Sequence, residues 1–208
     1  NKIVRWTPTT TNTPSPSEWK LERVDTISDD ALKAQVSRAL GSAVPQTGRY
    51  YHVVSLEYGR AMVSNYVTGN INTTTEDNNQ YLQAWELVET YGGFYTLRNA
   101  VTGQYIGNSP QNSSYYKTSD TKPGNGFKLE ENYADPYTLA YELKERYSLG
   151  KGIHCAATQG YDAVCWTAGS AANRWMFREI TVNDSLLNAQ KAAYQRLKNL
   201  KANRTVYQ

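Results

Sequence analysis

Gln83-Ala84-Trp85-Glu86-Leu87-Val88-Glu89 is one of three related phrases in this chain. The others are Asn125-Gly126-Phe127-Lys128-Leu129-Glu130-Glu131 and Asn173-Arg174-Trp175-Met176-Phe177-Arg178-Glu179-Ile180. Each has an amide, any residue, a large aromatic, and then apolar and charged side chains in alternation. The aromatics recur at intervals of between forty and fifty residues. Such a period means one supersecondary unit repeated, each copy burying its apolar side only against the others. The chain reads as a threefold repeat.

The units also open alike. Tyr51-His52-Val53-Val54-Ser55-Leu56 precedes Gly59, Tyr95-Thr96-Leu97-Arg98-Asn99 precedes Gly103, and Tyr141-Glu142-Leu143-Lys144 precedes Gly150. Such alternation marks a half-buried strand, and Gly, Asn and Asp clusters bound each run. A second strand is expected after each glycine, over Arg60–Ser64, Gln104–Gly107 and Gly152–Ala156. With a third ahead of each closing phrase, a unit holds about four short strands, the spacing of all-β barrels. Trp85, Phe127 and Trp175 are read as core. Three large rings at one place in each unit can pack around a pseudo-threefold axis, each burying about 150–250 Å². The amide two residues earlier can bond a backbone group and hold the last turn.

The pattern resembles the ricin-type β-trefoil, whose repeats each end in a Gln-x-Trp phrase. Gln83-x-Trp85 matches as written, and Asn173-x-Trp175 and Asn125-x-Phe127 match with Asn for Gln and one Phe for Trp. Ala100-Val101-Thr102-Gly103-Gln104-Tyr105-Ile106 is similar to that family's turn into its second strand, and the resemblance spans about residues 49–180. It implies an all-β protein, a β-trefoil of three four-stranded repeats, and it implies sugar binding. Repeats of that family place an Asp near the start of the second strand, where it bonds sugar hydroxyls. In register this chain has Val63, Gly107 and His154, so that charged acceptor is missing from all three leaves. On the same reading Cys155 and Cys165 lie on adjacent strands of one hairpin. A disulfide there would imply an oxidising compartment; the alternative is two buried thiols acting as small hydrophobes.

A sugar ring can still stack on an exposed aromatic while neighbouring groups bond its hydroxyls. Trp166, expected near His154, Asp162 and Asn173, is the first such platform. Tyr115 and Tyr116 with Asn112 form the second, and Tyr66 with Asn65 and Asn70 the third. For each, the plainer alternative is a partly buried aromatic in a β turn. Catalysis has little to stand on. The two histidines, His52 and His154, lie inside strand-like runs, and no zinc-ligand spacing, nucleophile elbow or phosphate loop occurs. Glu86, Glu89, Glu130, Glu131, Glu142 and Glu145 fall at strand ends and read as solvated edge charge rather than as the paired carboxylates of a glycosidase. No enzyme activity, cofactor or metal is expected.

The formal net charge is only +3, too weak a field to argue for nucleic acid or an anionic membrane. No apolar run is long enough to span a bilayer, and the N-terminus lacks the apolar stretch of a signal peptide. Tyrosine is plentiful, 17 against 3 phenylalanines; with abundant Asn, Thr, Ser and Gly it suits a wet, hydrogen-bonding binding surface. A secreted, cell-surface or periplasmic setting is expected.

Two flanks surround the repeats. Residues 1–44 comprise a Thr/Ser/Pro-rich run over 7–17, expected to be extended or disordered, a short strand and a helix. The strand, Glu18-Trp19-Lys20-Leu21-Glu22-Arg23-Val24, looks like a fourth closing phrase, either a repeat remnant or a strand on the barrel. The helix runs to Leu40 with Ser28 as N-cap, Gly41 as stop, and Leu32, Val36 and Leu40 on its docking face. Residues 183–208 carry a second helix, capped by Asp184 or Ser185, with an apolar stripe of Leu186, Ala189, Ala193, Leu197 and Leu200. It packs on the trefoil or leads to a further domain, and its basic residues read as a solvated face. Residues 45–182 form the trefoil between these flanks. The expected function is non-catalytic binding of a glycan or polysaccharide, as a lectin-like module of an exported bacterial protein. The rival is a protein-interaction or scaffolding trefoil without sugar binding.

Overall fold

The computed structural model describes residues 5–8, 19–22, 28–107, 114–132 and 138–206. Strand β1 (Arg5–Pro8) pairs antiparallel with β2 (Trp19–Glu22) in a two-stranded sheet of their own, Pro8 opposite Trp19. The phrase around Trp19 therefore finds its partner within the N-terminal flank, and the Thr/Pro-rich run starts with a paired strand. Helix α1 (Asp29–Leu40) begins where the cap chemistry requires: Ser28 Oγ accepts from the amide of Ala31 at 3.2 Å. It ends at Gly41, whose φ of +69° is the left-handed conformation that glycine adopts without strain. Leu40 packs on Val54, Ala61 and Met176, while Leu32 and Val36 are half-buried.

Twelve strands follow, four to a leaf. The first leaf has β3 (Tyr50–Ser55), β4 (Arg60–Ser64), β5 (Ile71–Thr75) and β6 (Ala84–Tyr91). The second has β7 (Phe94–Asn99), β8 (Tyr105–Ile106), β9 (Thr118–Ser119) and β10 (Phe127–Glu131). The third has β11 (Tyr141–Glu145), β12 (Ser148–Ala156), β13 (Asp162–Thr167) and β14 (Trp175–Glu179). The first and fourth strands of every leaf close a six-stranded ring in the order β3-β6-β7-β10-β11-β14 and back to β3. The second and third strands form the hairpins β4–β5, β8–β9 and β12–β13. This is a β-trefoil, and ring closure leaves no open barrel edge to pair with another chain.

The threefold pattern reaches individual hydrogen bonds. Trp85 and Trp175 are fully buried, and each donates its indole N–H to a carbonyl of the leaf's second strand, Met62 O at 3.0 Å and Ile153 O at 2.9 Å. Phe127 is buried too but has no donor to give. The equivalent carbonyl, Ile106 O, accepts instead from the Thr96 hydroxyl at 3.1 Å, so no buried acceptor is orphaned by the exchange. The amides of the closing phrases also act alike. Gln83 Nε2 donates to Thr75 O at 2.8 Å and Asn173 Nδ2 to Thr167 O at 3.0 Å, in each case the last carbonyl of the leaf's third strand.

The cysteine reading needs correction: Cys155 and Cys165 are both buried free thiols. Register decides it, because Cys165 lies opposite Ile153 and Cys155 opposite Ala163. The two side chains share the inner face but sit diagonally, and each has its own partner. Cys155 Sγ lies 3.4 Å from Tyr161 O, and Cys165 Sγ lies 3.5 Å from Glu145 Oε1. Burial pushes both thiols up, and Glu145 raises Cys165 further. The Tyr116 phenol is pushed up as well, by burial first and by Glu145 second. These groups keep their protons in the folded state to higher pH than in the unfolded chain, where thiols ionise near about 8.5 and phenols near about 10. Stability is therefore full below about pH 8.5 and falls as pH rises, by up to about 1.4 kcal/mol per pH unit for each group ionised only when unfolded. The urea midpoint should drop accordingly between about pH 8.5 and 10.5, and the Cys155→Ala, Cys165→Ala double variant should lose the lower part of that slope. A double variant with the wild-type slope would show that the thiols do not carry it.

Helix α2 (Asp184–Val206) closes the described chain. Its cap is Asn183, one residue before Asp184 and two before Ser185, with Oδ1 accepting from Leu186 N at 3.0 Å. Its docking face also differs from the expected stripe. Leu187 is buried and Tyr194 half-buried against the cluster of Tyr81, Ala84, Ala100 and Val101, whereas Ala189, Ala193, Leu197 and Leu200 are exposed. A polar latch between them explains the rotation: Gln190 accepts from Tyr81 N at 2.9 Å and donates to Asn79 O at 2.6 Å. No helix among the described residues is long and apolar enough to cross a membrane.

Candidate functional site

The register of the third hairpin brings several of the expected residues onto one surface. In β12–β13, Gly152 faces Trp166, His154 faces Val164 and Ala156 faces Asp162. Side chains alternate along a strand. With Ile153, Cys155, Ala163 and Cys165 buried inside, His154, Val164, Trp166 and Asp162 take the outer face. Tyr115 joins them by bridging to Val164 from the other side. Trp166 is 40% exposed, and its ring centroid lies 6.1 Å from that of His154, tilted by 39°.

Asn173 lies beneath this face rather than on it. It is buried, with its amide nitrogen on Thr167 O and its Oδ1 2.6 Å from His154 Nδ1. That arrangement sets the tautomer. An amide oxygen only accepts, so Nδ1 carries the proton and the neutral ring presents Nε2 as an acceptor. The closing phrase thus orients the imidazole as a carboxylate or carbonyl orients a metal-binding histidine. Asp162 falls away from this group. It lies four residues along β13 from Trp166, roughly 13 Å at strand rise, and its Oδ1 accepts from Asn72 Nδ2 of the first leaf.

Two other platforms change. Tyr116 is fully buried in the core, its hydroxyl on Glu145, so only Tyr115 of that pair reaches the surface. Asn112 lies outside the described residues. Tyr66 stacks edge-on against Tyr194 of α2 at 6.0 Å, and Asn65 Oδ1 is occupied by the amides of Val67 and Thr68 in its own turn. The other histidine, His52, is buried with Nδ1 2.9 Å from Glu76, which also pairs with Arg178, tying the first leaf to β14.

The same registers locate the equivalent positions in the other leaves. Met62 lies opposite Thr73, Ile106 opposite Thr118 and Ile153 opposite Cys165, so Trp166 corresponds to Thr74 and Ser119, and His154 to Val63 and Gly107. The third leaf alone joins an aromatic ring to a side-chain acceptor at these positions. Glu142 and Glu145, expected as solvated edge charge, are both buried. Strand β11 is flanked by β10 on one side and by β12 and β14 on the other, so its acids meet protein, Glu142 accepting from Gly169 N at 3.0 Å.

No protein-family model and no curated protein matches the chain. Solved structures do. A ricin B-like lectin of Macrolepiota procera, solved with lactose, superposes with a TM-score of 0.55 at 14% identity, covering 65% of this chain and 98% of the lectin. The designed threefold-symmetric protein ThreeFoil gives 0.51 at 19% identity, covering 64% of this chain and 99% of its own. An exo-β-1,3-galactanase of Clostridium thermocellum gives 0.50 at 20% identity over 66% of this chain, which spans only 31% of that enzyme. At such identities the likeness is one of fold. The chain has the β-trefoil fold and resembles the ricin-type lectins in it.

Proposed function

We propose that this protein is a non-catalytic carbohydrate-binding module that takes a sugar at its third leaf. The observation that carries the reading is the pairing, in that leaf alone, of an exposed indole with an imidazole whose free nitrogen accepts. Trp166 would cover the apolar face of a pyranose, and His154 Nε2 would accept a hydroxyl. The ricin-type pattern has an Asp where this chain has His154, and an imidazole pinned by Asn173 would supply the same acceptor function without the charge. Tyr115 flanks the ring. One platform with few hydrogen bonds should bind in the millimolar range, about −4 kcal/mol. The similarity of a trefoil within a longer galactanase supports a place beside other domains of a glycan-active protein. An exported setting goes with this proposal on composition alone, since the thiols are free.

A protein-interaction trefoil is the second reading, favoured by Val67, Leu197 and Leu200, which stand exposed beside Tyr66 and Tyr194. A glycan array on the whole chain separates the two, followed by titration of tryptophan fluorescence with lactose and with the best array ligand. Saturable binding in the millimolar range supports the lectin reading. An array with no glycan above background makes the interaction module the better one.

A further inference from the structure

Helix α2 carries an apolar stripe that the trefoil does not use. The Gln190 latch seats Leu187 and Tyr194 on the cluster around Tyr81. Ala189, Ala193, Leu197 and Leu200 lie about a quarter turn round the helix from that line, and all four are exposed, Leu200 by 61%. Opposite them stands the β4–β5 turn of the first leaf, whose Val67 is 65% exposed. Asn65 holds that turn in shape: its Oδ1 accepts from the amides of Val67 and Thr68, and its carbonyl from Gly69 N at 2.7 Å. Between these two walls runs a groove of about 620 Å³, with the edge-on pair Tyr66 and Tyr194 inside it. Lys201 Nζ ties the walls together, donating to Val67 O at 3.3 Å. A smaller hollow of about 160 Å³ shares Tyr66, Tyr194 and Leu197 and continues the groove to Leu82 and Val101. From Gln190 to Arg204 the two together follow about 21 Å of helix.

Charge and shape narrow the occupant. Helix α2 has Lys191, Arg196, Lys198, Lys201 and Arg204 against Asp184 alone, and the last three of those bases line the groove. Lys198 and Arg204 meet no carboxylate among the described residues. Asp120, whose charge reaches the Tyr194 hydroxyl, already accepts from Gln104 Nε2 at 3.1 Å. A second copy of α2 would set five bases against five. A bilayer takes up an apolar face that stands proud, not a trough between two walls. A strand needs a free sheet edge, and one wall here is a helix. A helix laid beside α2 meets every condition, with apolar side chains at i, i+4 and i+7 in the groove and acids along its rim. We propose that the groove between α2 and the β4–β5 turn docks an acidic amphipathic helix of a partner protein. This gives the interaction reading above its partner class and rests on that reading, and it is independent of the Trp166 face.

The test is fluorescence anisotropy of the whole chain with a fluorescein-labelled peptide of Leu, Glu and Ala, about fourteen residues long to match the groove, its leucines on one helical face. Two control peptides spread the same leucines round the helix or replace Glu by Lys. Saturable binding of the first peptide within about 1 mM is expected. It should weaken about tenfold in Val67→Asp and in the Lys198→Glu, Arg204→Glu double variant, and severalfold as salt rises from about 0.05 to 0.5 M. The two variants lie on separate elements, so a disturbed α2 could not account for both. Failure of the first peptide to bind overturns the proposal, as does equal binding of either control or an affinity unchanged in both variants. A dimer in sedimentation that Leu197→Asp dissolves overturns the acidic partner but keeps the interaction reading. Binding to phosphatidylserine vesicles and to no peptide overturns both.

Discussion

Trp166→Ala is expected to reduce glycan binding at the third leaf to background while leaving the protein folded. The ring is 40% exposed and stands on the outer face of β13, so its removal opens no core cavity. Surface replacements of that kind cost within about 0.5 kcal/mol. Binding is another matter. From a starting free energy of about −4 kcal/mol, loss of about 1.4 kcal/mol lowers the affinity tenfold, past what a titration can follow. Isothermal titration with the best array glycan and a thermal melt, run on the same preparation, read the two effects. A large fall in melting temperature would make Trp166 a packing residue and move the site elsewhere, and retained binding would remove it from the site altogether.

Trp175→Ala is expected to have the largest effect on stability, about 3–5 kcal/mol, the usual cost of truncating a large buried aromatic. The ring is fully buried, and its indole holds Ile153 O at 2.9 Å. A domain of this kind has about 5–15 kcal/mol in total, so the variant should be largely unfolded at modest urea concentrations. Trp175→Phe separates packing from hydrogen bonding. It keeps most of the bulk but leaves a buried carbonyl short of its donor, for about 1–3 kcal/mol. The second leaf shows how that loss is met, because Phe127 is accompanied there by the Thr96 hydroxyl on Ile106 O. Urea titrations of both variants check the values, and a Trp175→Ala variant as stable as wild type would break the assignment of this ring to the barrel core.

The fold was legible because it is written in local periodicity. Alternating strands, glycine turns and a closing phrase repeated three times are properties of adjacent residues, and three open units can bury their apolar faces only by closing on one another. The caps of α1 are local in the same sense, and Ser28 and Gly41 stand where the chain alone places them. What tertiary structure decided is what depends on register and on who lies across a seam. A single pairing offset puts Cys165 opposite Ile153 and leaves two thiols where a bridge had seemed open. Tyr115 and Tyr116 are adjacent and chemically alike, yet one bridges to the outer face and the other enters the core, because neighbours on a strand point to opposite sides. The docking face of α2 is turned by Gln190, a polar residue that no apolar stripe includes. Glu145 looked like solvated charge until its flanking strands and the Tyr116 hydroxyl enclosed it, and His154 became an oriented acceptor only when Asn173, nineteen residues away, came beneath it.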